Sequence, residues 1–422
     1  MNEPQAIAGA LIEALYIHVP FCRTICPFCA FAVHGDQARL HRPYLEALER
    51  EAALRAGEFS HLLAPRQKPG QKSLQSVYIG GGTPSALSLP EVERLLGIVR
   101  KHFTLAPDTE ISFELNPEDA RPDHLRGLVS LGVTRFSLGL QSLDDATLRA
   151  LGRNNDAKLG REAWEAIHAL GVDSGGGSGG NFRGNFSDNF GGNFGGNFNV
   201  DLMFGAPGIE PAPFRRDVEW VADRGTPHIS LYGLEIEPGT LFARDPSVRE
   251  WAEDKRDAQA ETYLWAVETL TARGYHHYEV SNFSRPGSEG RQNLIVWDGG
   301  AYLGLGPGAF STVAGVRWRN ARHLRAWMRR LENGEDPKDF EETPSRSQRA
   351  DETLMLSLRR DSGLDIGAWE ETHGLEWGPK RERLAGRLAA EGKATLRDGR
   401  LILTSTGLLL ADEITAALAV EE

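Results

Sequence analysis

The chain of 422 residues is 40% hydrophobic and 25% charged, which suits two to three globular domains and excludes a disordered chain or a small disulfide-stapled scaffold. Its 59 Asp and Glu outnumber 47 Lys and Arg, giving a net charge of −12. A carboxylate surplus repels phosphate backbones, so a nucleic-acid partner is not expected.

At the N-terminus no Lys or Arg precedes Arg23, and Glu13 interrupts the apolar stretch, so no secretory signal is expected. The apolar run 15–19, ended by Pro20, reads as a buried strand. A helix is expected over 42–56, with Pro43 in its first turn and Gly57 at its end. A second strand, 77–79, runs into Gly80, Gly81 and Gly82. Ser88 and Glu91 stand at capping-box spacing, and Val92, Leu95, Leu96 and Val99 mark one face of the next helix. Strands at 110–115, 134–138, 199–203 and 228–232 alternate with helices at 122–131 and 158–170. Strand–helix alternation of this length predicts parallel βαβ units, either a doubly wound sheet or a barrel.

Residues 174–197 form a degenerate GGNF repeat without helical or strand period, read as a flexible insertion. Because it joins a helix to the next strand, it should leave from the face opposite an active site. After about residue 254 the alternation loosens to a helix at 257–273 and a Gly-rich stretch at 288–308. The weakly charged run 294–316 holds Asp298, Pro307 and six glycines, a poor transmembrane segment. No transmembrane segment and a cytoplasmic location are therefore expected. A charged linker at 333–344 precedes a helix–strand–strand–helix pattern, read as a small winged or capping module.

The three cysteines, Cys22, Cys26 and Cys29, all fall within eight residues, too few and too close for a disulfide framework. Pro27 disfavours an uninterrupted helix, so the thiols sit on a loop that can wrap one centre. Three thiolates fall one short of saturating a cubane iron–sulfur cluster and would leave one iron open. The competing reading is zinc, completed by His18 or His34. The strand-terminal glycine triplet, followed by Thr83, lets backbone approach a ligand closely.

The ordered set YIHVPFCRTICPFC, GGGTP, ELNP (114–117), GLQS (139–142), LGR (151–153) and VDLMFGAPG (200–208) resembles the radical S-adenosylmethionine superfamily. Within it, the resemblance is to the group that contains oxygen-independent coproporphyrinogen III oxidase and its heme-chaperone relatives, and it runs from about residue 15 to the C-terminus. It implies an α/β fold, a partial (β/α)6 TIM-type barrel with a smaller C-terminal accessory domain. The implied division is a core over 15–250, a barrel-completing region over 251–332 and the accessory domain over 345–422. It further implies a [4Fe–4S] cluster on Cys22, Cys26 and Cys29, with S-adenosylmethionine chelating the fourth iron. Tyr16 and Phe28 match aromatic positions beside the cluster, and Gly81, Gly82 and Thr83 match the loop meeting the methionine amino group. Glu114, Gln141, Arg153 and Asp201 match positions that contact the cofactor's ribose and charged ends. Carboxylates suit hydroxyls and ammonium, and an Arg fork suits a carboxylate.

The oxidase branch carries a further cysteine two residues after the third, where this chain has Phe31. Phe31 and the segment at 274–283 point to the heme-chaperone branch, which implies heme as cargo, an acceptor protein and a reductant such as flavodoxin or ferredoxin. Decarboxylation of coproporphyrinogen and a radical methyltransferase activity are the alternatives. The branch's H-N-x-x-Y-W motif reads Gln292, Asn293, Leu294, Ile295, Val296, Trp297 here. Gln and Val supply no heme ligand, which leaves His276, His277 or His323 as candidate substitutes.

Overall fold

The computed structural model describes residues 11–63, 74–173 and 194–420. Six parallel strands, β1 (Ala14–Val19), β2 (Leu74–Gly81), β3 (Leu105–Leu115), β4 (Arg135–Gln141), β5 (Phe198–Phe204) and β6 (His228–Gly233), lie side by side in sequence order. This is the expected partial barrel, and the sheet extends beyond it on both sides. Past β6 lie β8 (Asn282–Ser284) and then β7 (His276–Glu279), both antiparallel. On the other side β9 (Tyr302–Leu305) adds a seventh parallel strand beside β1. The antiparallel β10 (Phe310–Val313), β11 (Val316–Asn320) and β12 (Lys338–Glu342) follow it.

Two readings are corrected here. The Gly-rich stretch at 288–308 contains β9, whose four residues are too short and too glycine-bounded to announce a strand. The supposed linker at 333–344 contains β12, an edge strand whose charges face solvent, a usual way of blunting an edge.

Each parallel strand has two chemically different faces. Leu15, Ile17, Val77, Ile79, Phe113, Phe136, Leu138, Val200, Leu202 and Ile229 are fully buried against the outer helices. Burial of each such side chain contributes roughly 1.5–3 kcal/mol. The alternate positions are polar and face the concave side, the lumen. Helix α1 (His41–Glu58) is pinned to the β9–β11 region by the buried carboxylate of Glu51. This accepts hydrogen bonds from Gly306 N (2.8 Å), Trp327 Nε1 (3.1 Å) and Asn320 Nδ2 (2.5 Å). Helix α2 (Leu89–His102) starts with the expected Ser88–Glu91 capping box.

The insertion lies mostly outside the described residues, but its last four do not behave as a loose loop. Phe194 is buried and packs on Phe136, ring centres 4.9 Å apart, and Asn197 Oδ1 accepts from Arg135 Nη1 at 2.6 Å. Phe194 is thus part of the core. Helix α4 (Ala157–Asp173) and β5 meet it at the N-terminal end of the strands, with Gly171 packed on Gly196.

The C-terminal residues build a second core around Leu354, Leu358, Trp369, Ala385, Leu401 and Leu418. A three-stranded sheet of 364–365, 394–397 and 400–403 lies within it. Among the described residues no helix is long and apolar enough to cross a membrane.

Candidate cluster and cofactor site

The chain leaves β1 through Pro20 and makes a two-residue parallel pairing of Phe21–Cys22 with His34–Gly35. That pairing closes the loop carrying Cys26 and Cys29 over the lumen mouth. The loop is held from several sides. Arg23 Nη1 donates to Asp119 Oδ2 (2.7 Å), Arg322 Nη2 to Ala30 O (2.8 Å), and Phe242 N to Pro27 O (3.0 Å). Its tip stays exposed, with Ile25 at 45% and Phe31 at 68%.

The thiols are recessed and near one another. Burial pushes Cys22 up to about 11, and the Cys29 and Cys26 sulfurs beside it add to the shift. Burial raises Cys29 as well. At neutral pH such thiols stay protonated unless a cationic group binds them and displaces the protons. Two donors face the sulfurs: Thr83 Oγ1 to Cys22 Sγ at 3.7 Å and Arg153 Nη1 to Cys26 Sγ at 3.6 Å.

The zinc reading fits poorly. His18 Nε2 is 3.0 Å from the Ala32 carbonyl and its Nδ1 is 3.0 Å from Tyr16 Oη, so both ring nitrogens are engaged. His34 Nδ1 is 2.7 Å from Gly35 O. Among the described residues no group of three His, Cys, Asp or Glu side chains closes on a single ion.

Below the cysteines lies a lumen of about 540 Å³. Cys22, Cys26, Cys29, Phe28, Gly81, Gly82, Thr83, Glu114, Gln141, Arg153 and Asp201 all line it. Tyr16 is the exception among the sequence-derived positions. It stacks on Tyr78 with ring centres 6.1 Å apart and lines a neighbouring groove. Phe28 packs towards Phe242 at 6.3 Å.

Glu114, at the end of β3, accepts from Tyr78 Oη (2.8 Å) and Gly81 N (3.0 Å). Burial raises its carboxyl to about 7, and the charge of Asp201 adds to the shift. Asp201 is raised to about 6 by burial, against hydrogen bonds from Asn199 Nδ2 (2.7 Å) and Ser137 Oγ (3.3 Å). Arg153 bridges the two sides of the mouth, donating from Nη2 to Asn116 Oδ1 (2.8 Å) and Gly139 O (3.3 Å). Gln141 sits in the left-handed region at φ 64°, where β4 slips register against β5. Such a conformation costs about 1–3 kcal/mol and points to a site-specific constraint.

The glycine triplet does something more local than open a path to a ligand. A Cβ on Gly80 would strike Glu114 Oε1, one on Gly81 the His18 ring, and one on Gly82 the backbone of Pro20 and Phe21. These glycines let β2 press against the cysteine loop and the Glu114 carboxylate.

Several lining residues escaped the sequence reading. Asn116 joins Thr83 to Arg153, donating from Nδ2 to Thr83 Oγ1 at 3.1 Å. Tyr78 orients Glu114. At the lumen floor Arg135 donates to Ser288 O (3.0 Å), and His228 bridges Asn199 Oδ1 and Tyr278 Oη, each at 2.7 Å. Their shared signal is a polar row at alternate positions in four successive strands: Glu110, Ser112, Glu114; Arg135, Ser137; Asn199, Asp201; His228, Ser230.

The candidate heme histidines lie elsewhere. His277 is stacked on Phe283 at 4.2 Å, and burial lowers it to about 4; His276 Nε2 pairs with Asp361 at 2.7 Å. Both stand on β7, at the far edge of the sheet. His323 is exposed just before the helix 324–332.

Residues 16–181 match the family model of the Radical SAM superfamily, and residues 345–410 match the HemN C-terminal domain. The chain is 34% identical to the heme chaperone HemW of Mycobacterium tuberculosis, over 96% of this chain and 94% of that protein. It is 28% identical to the heme chaperone HemW of Bacillus subtilis, over 96% and 99%. Its fold resembles the solved coproporphyrinogen III oxidase HemN of Escherichia coli, with TM-score 0.74 and 21% identity, over 99% of this chain and 92% of that one. With cysteine loop, glycine triplet and carboxylate lumen in superfamily order, and a relative of this identity along nearly its whole length, the chain belongs to the radical SAM superfamily and, within it, to the HemW family.

Proposed function

We propose that the protein is a heme chaperone. It holds a [4Fe–4S] cluster on Cys22, Cys26 and Cys29, binds S-adenosylmethionine in the lumen, and passes heme to an acceptor protein. The observation that carries this reading is the convergence of the three thiols, Glu114 and Arg153 on one lumen mouth in a chain so similar to HemW proteins. A cluster with one open iron would, once reduced by an electron-carrier protein, supply the electron for cleaving a bound sulfonium.

The chain's own residues do the positioning. Glu114, aligned by Tyr78 and Gly81 N, offers a carboxylate to an ammonium group, and Arg153 offers a fork to a carboxylate. Asp201 suits ribose hydroxyls, and Gln141 projects from a backbone position fixed by the bulge. Phe31 supports the chaperone over the oxidase, because a phenyl ring can neither ligate iron nor give up a hydrogen as a thiol would.

The test is anaerobic reconstitution with iron and sulfide, followed by separate assays. We expect brown charge-transfer absorbance, saturable hemin binding and no conversion of coproporphyrinogen III. Turnover of coproporphyrinogen, or the absence of any saturable Soret change, would overturn the assignment.

A further inference from the structure

A second concavity of about 430 Å³ adjoins the lumen. The two share the tip of the cysteine loop and helix α7 (Arg291–Trp297), whose Gln292 and Asn293 line both. The groove's walls are apolar and aromatic: Tyr16, Phe31, Val296, Tyr302 and Phe310, with Arg322 at the rim. Phe31 and Phe310 are 68% and 40% exposed, with the Arg319 guanidinium 5.9 Å from the Phe310 ring centre. Arg322 spends one N–H group on Ala30 O and remains exposed. On the α7 wall, Gln292 Oε1 is buried with no hydrogen-bond partner among the described residues.

Aromatic walls with a cation at the rim complement a flat, apolar macrocycle bearing carboxylates. Among the described residues, the groove lacks a free nitrogen or sulfur ligand for iron. The one imidazole that lines it there, His18, has both ring nitrogens engaged, and no described cysteine or methionine lines it. The phenols of Tyr16 and Tyr78 are hydrogen-bonded to His18 and Glu114. Gln292 and Val296, in the groove wall, offer no side chain suited to ligate heme iron.

Resting on the heme-chaperone reading, we infer that this groove is the tetrapyrrole-docking site, and that it grips the porphyrin by its faces and a propionate without a bond from the protein to iron. Phe31 and Phe310 pack on the ring, and Arg322 pairs with a propionate. The cargo lies directly against the cysteine loop, because Arg322 and His18 hold Ala30 and Ala32 in place.

The experiment titrates the full-length, anaerobically purified protein with hemin, metal-free protoporphyrin IX and its dimethyl ester, followed by Soret absorbance and quenching of tryptophan fluorescence. We expect hemin and protoporphyrin IX to bind within threefold of one another and the ester about tenfold more weakly. Arg322→Glu should weaken both free acids about tenfold and leave the ester unchanged. Phe310→Ala should weaken all three alike, His323→Ala should leave affinity unchanged, and neither His323→Ala nor Tyr302→Phe should alter the hemin spectrum. Circular dichroism confirms that each surface variant is folded.

A tenfold or greater preference for hemin, or a hemin spectrum altered by Tyr302→Phe or His323→Ala, would show an axial ligand and overturn iron-independent recognition. Wild-type affinity of Arg322→Glu and Phe310→Ala would place the site elsewhere, with the chaperone reading intact. No binding of hemin to the wild type would instead remove that reading.

Discussion

The lumen and the groove share a wall yet are built in opposite ways. In the lumen each charged side chain is held by neighbours: Glu114 by Tyr78 and Gly81, Arg153 by Asn116 and Gly139, Asp201 by Asn199 and Ser137. In the groove Phe31 and Phe310 stand in solvent, and Arg322 has a single hydrogen-bonded anchor among the described residues. The contrast teaches where precision is invested. A small polar ligand is recognised by pre-aligned hydrogen bonds, which lose strength when displaced by an ångström. A broad apolar ligand gains from area and tolerates side-chain adjustment. A cofactor that stays belongs in the first environment, and a cargo that must leave belongs in the second.

The contrast breaks most completely at the cluster. Cys26→Ala should abolish the charge-transfer absorbance of reconstituted protein while leaving the urea midpoint of the cluster-free protein unchanged, since Cys26 is only half-buried. A cluster retained in that variant would show that the ligand set is wrong. Next in size is Arg153→Ala. Removing a charged donor to both Asn116 and the ligand should lower S-adenosylmethionine affinity roughly tenfold to a hundredfold. Equilibrium dialysis measures this, and porphyrin affinity should stay within threefold. Equal losses in both assays would mean that the two concavities act as one.

A smaller effect comes from pH. Burial raises Glu114 to about 7, so the side chain is neutral below that pH and a carboxylate above it. A ligand amine prefers the carboxylate. Affinity for S-adenosylmethionine should therefore fall as pH drops from 7 to 5, by at most about tenfold per unit, and level off above 7. Glu114→Gln should bind more weakly at pH 8 and show a shallower slope; an unchanged slope would remove Glu114 from the ligand's contacts. The smallest expected effect is a control remote from both sites. Deleting residues 174–193 should leave both affinities within twofold, because the described ends of the insertion meet at the N-terminal side of the sheet. Extending the deletion to 197 removes buried Phe194 and should cost roughly 3–5 kcal/mol in urea unfolding.

The six parallel strands were legible because each carries a short apolar row between turn signals. The thiol loop at the lumen mouth was legible because three cysteines within eight residues have few other uses. The Ser88–Glu91 cap was legible for the same reason: its chemistry is local. The strand 302–305 and the edge strand 338–342 were hidden, since both depend on partners distant in sequence. Phe194 was hidden by the repeat around it, although its ring completes the core beside Phe136.

By itself, then, the sequence determined the order of parallel units and the thiol loop, because alternation and spacing are encoded locally. Only the tertiary structure decided that Asn116 ties Thr83 to Arg153, and that the glycine triplet makes room for His18, Pro20 and Glu114. It alone brought Arg322 to Ala30, across 292 positions of chain. Contacts of that kind depend on how a twisted sheet brings strand ends together, and no local pattern of residues records that distance.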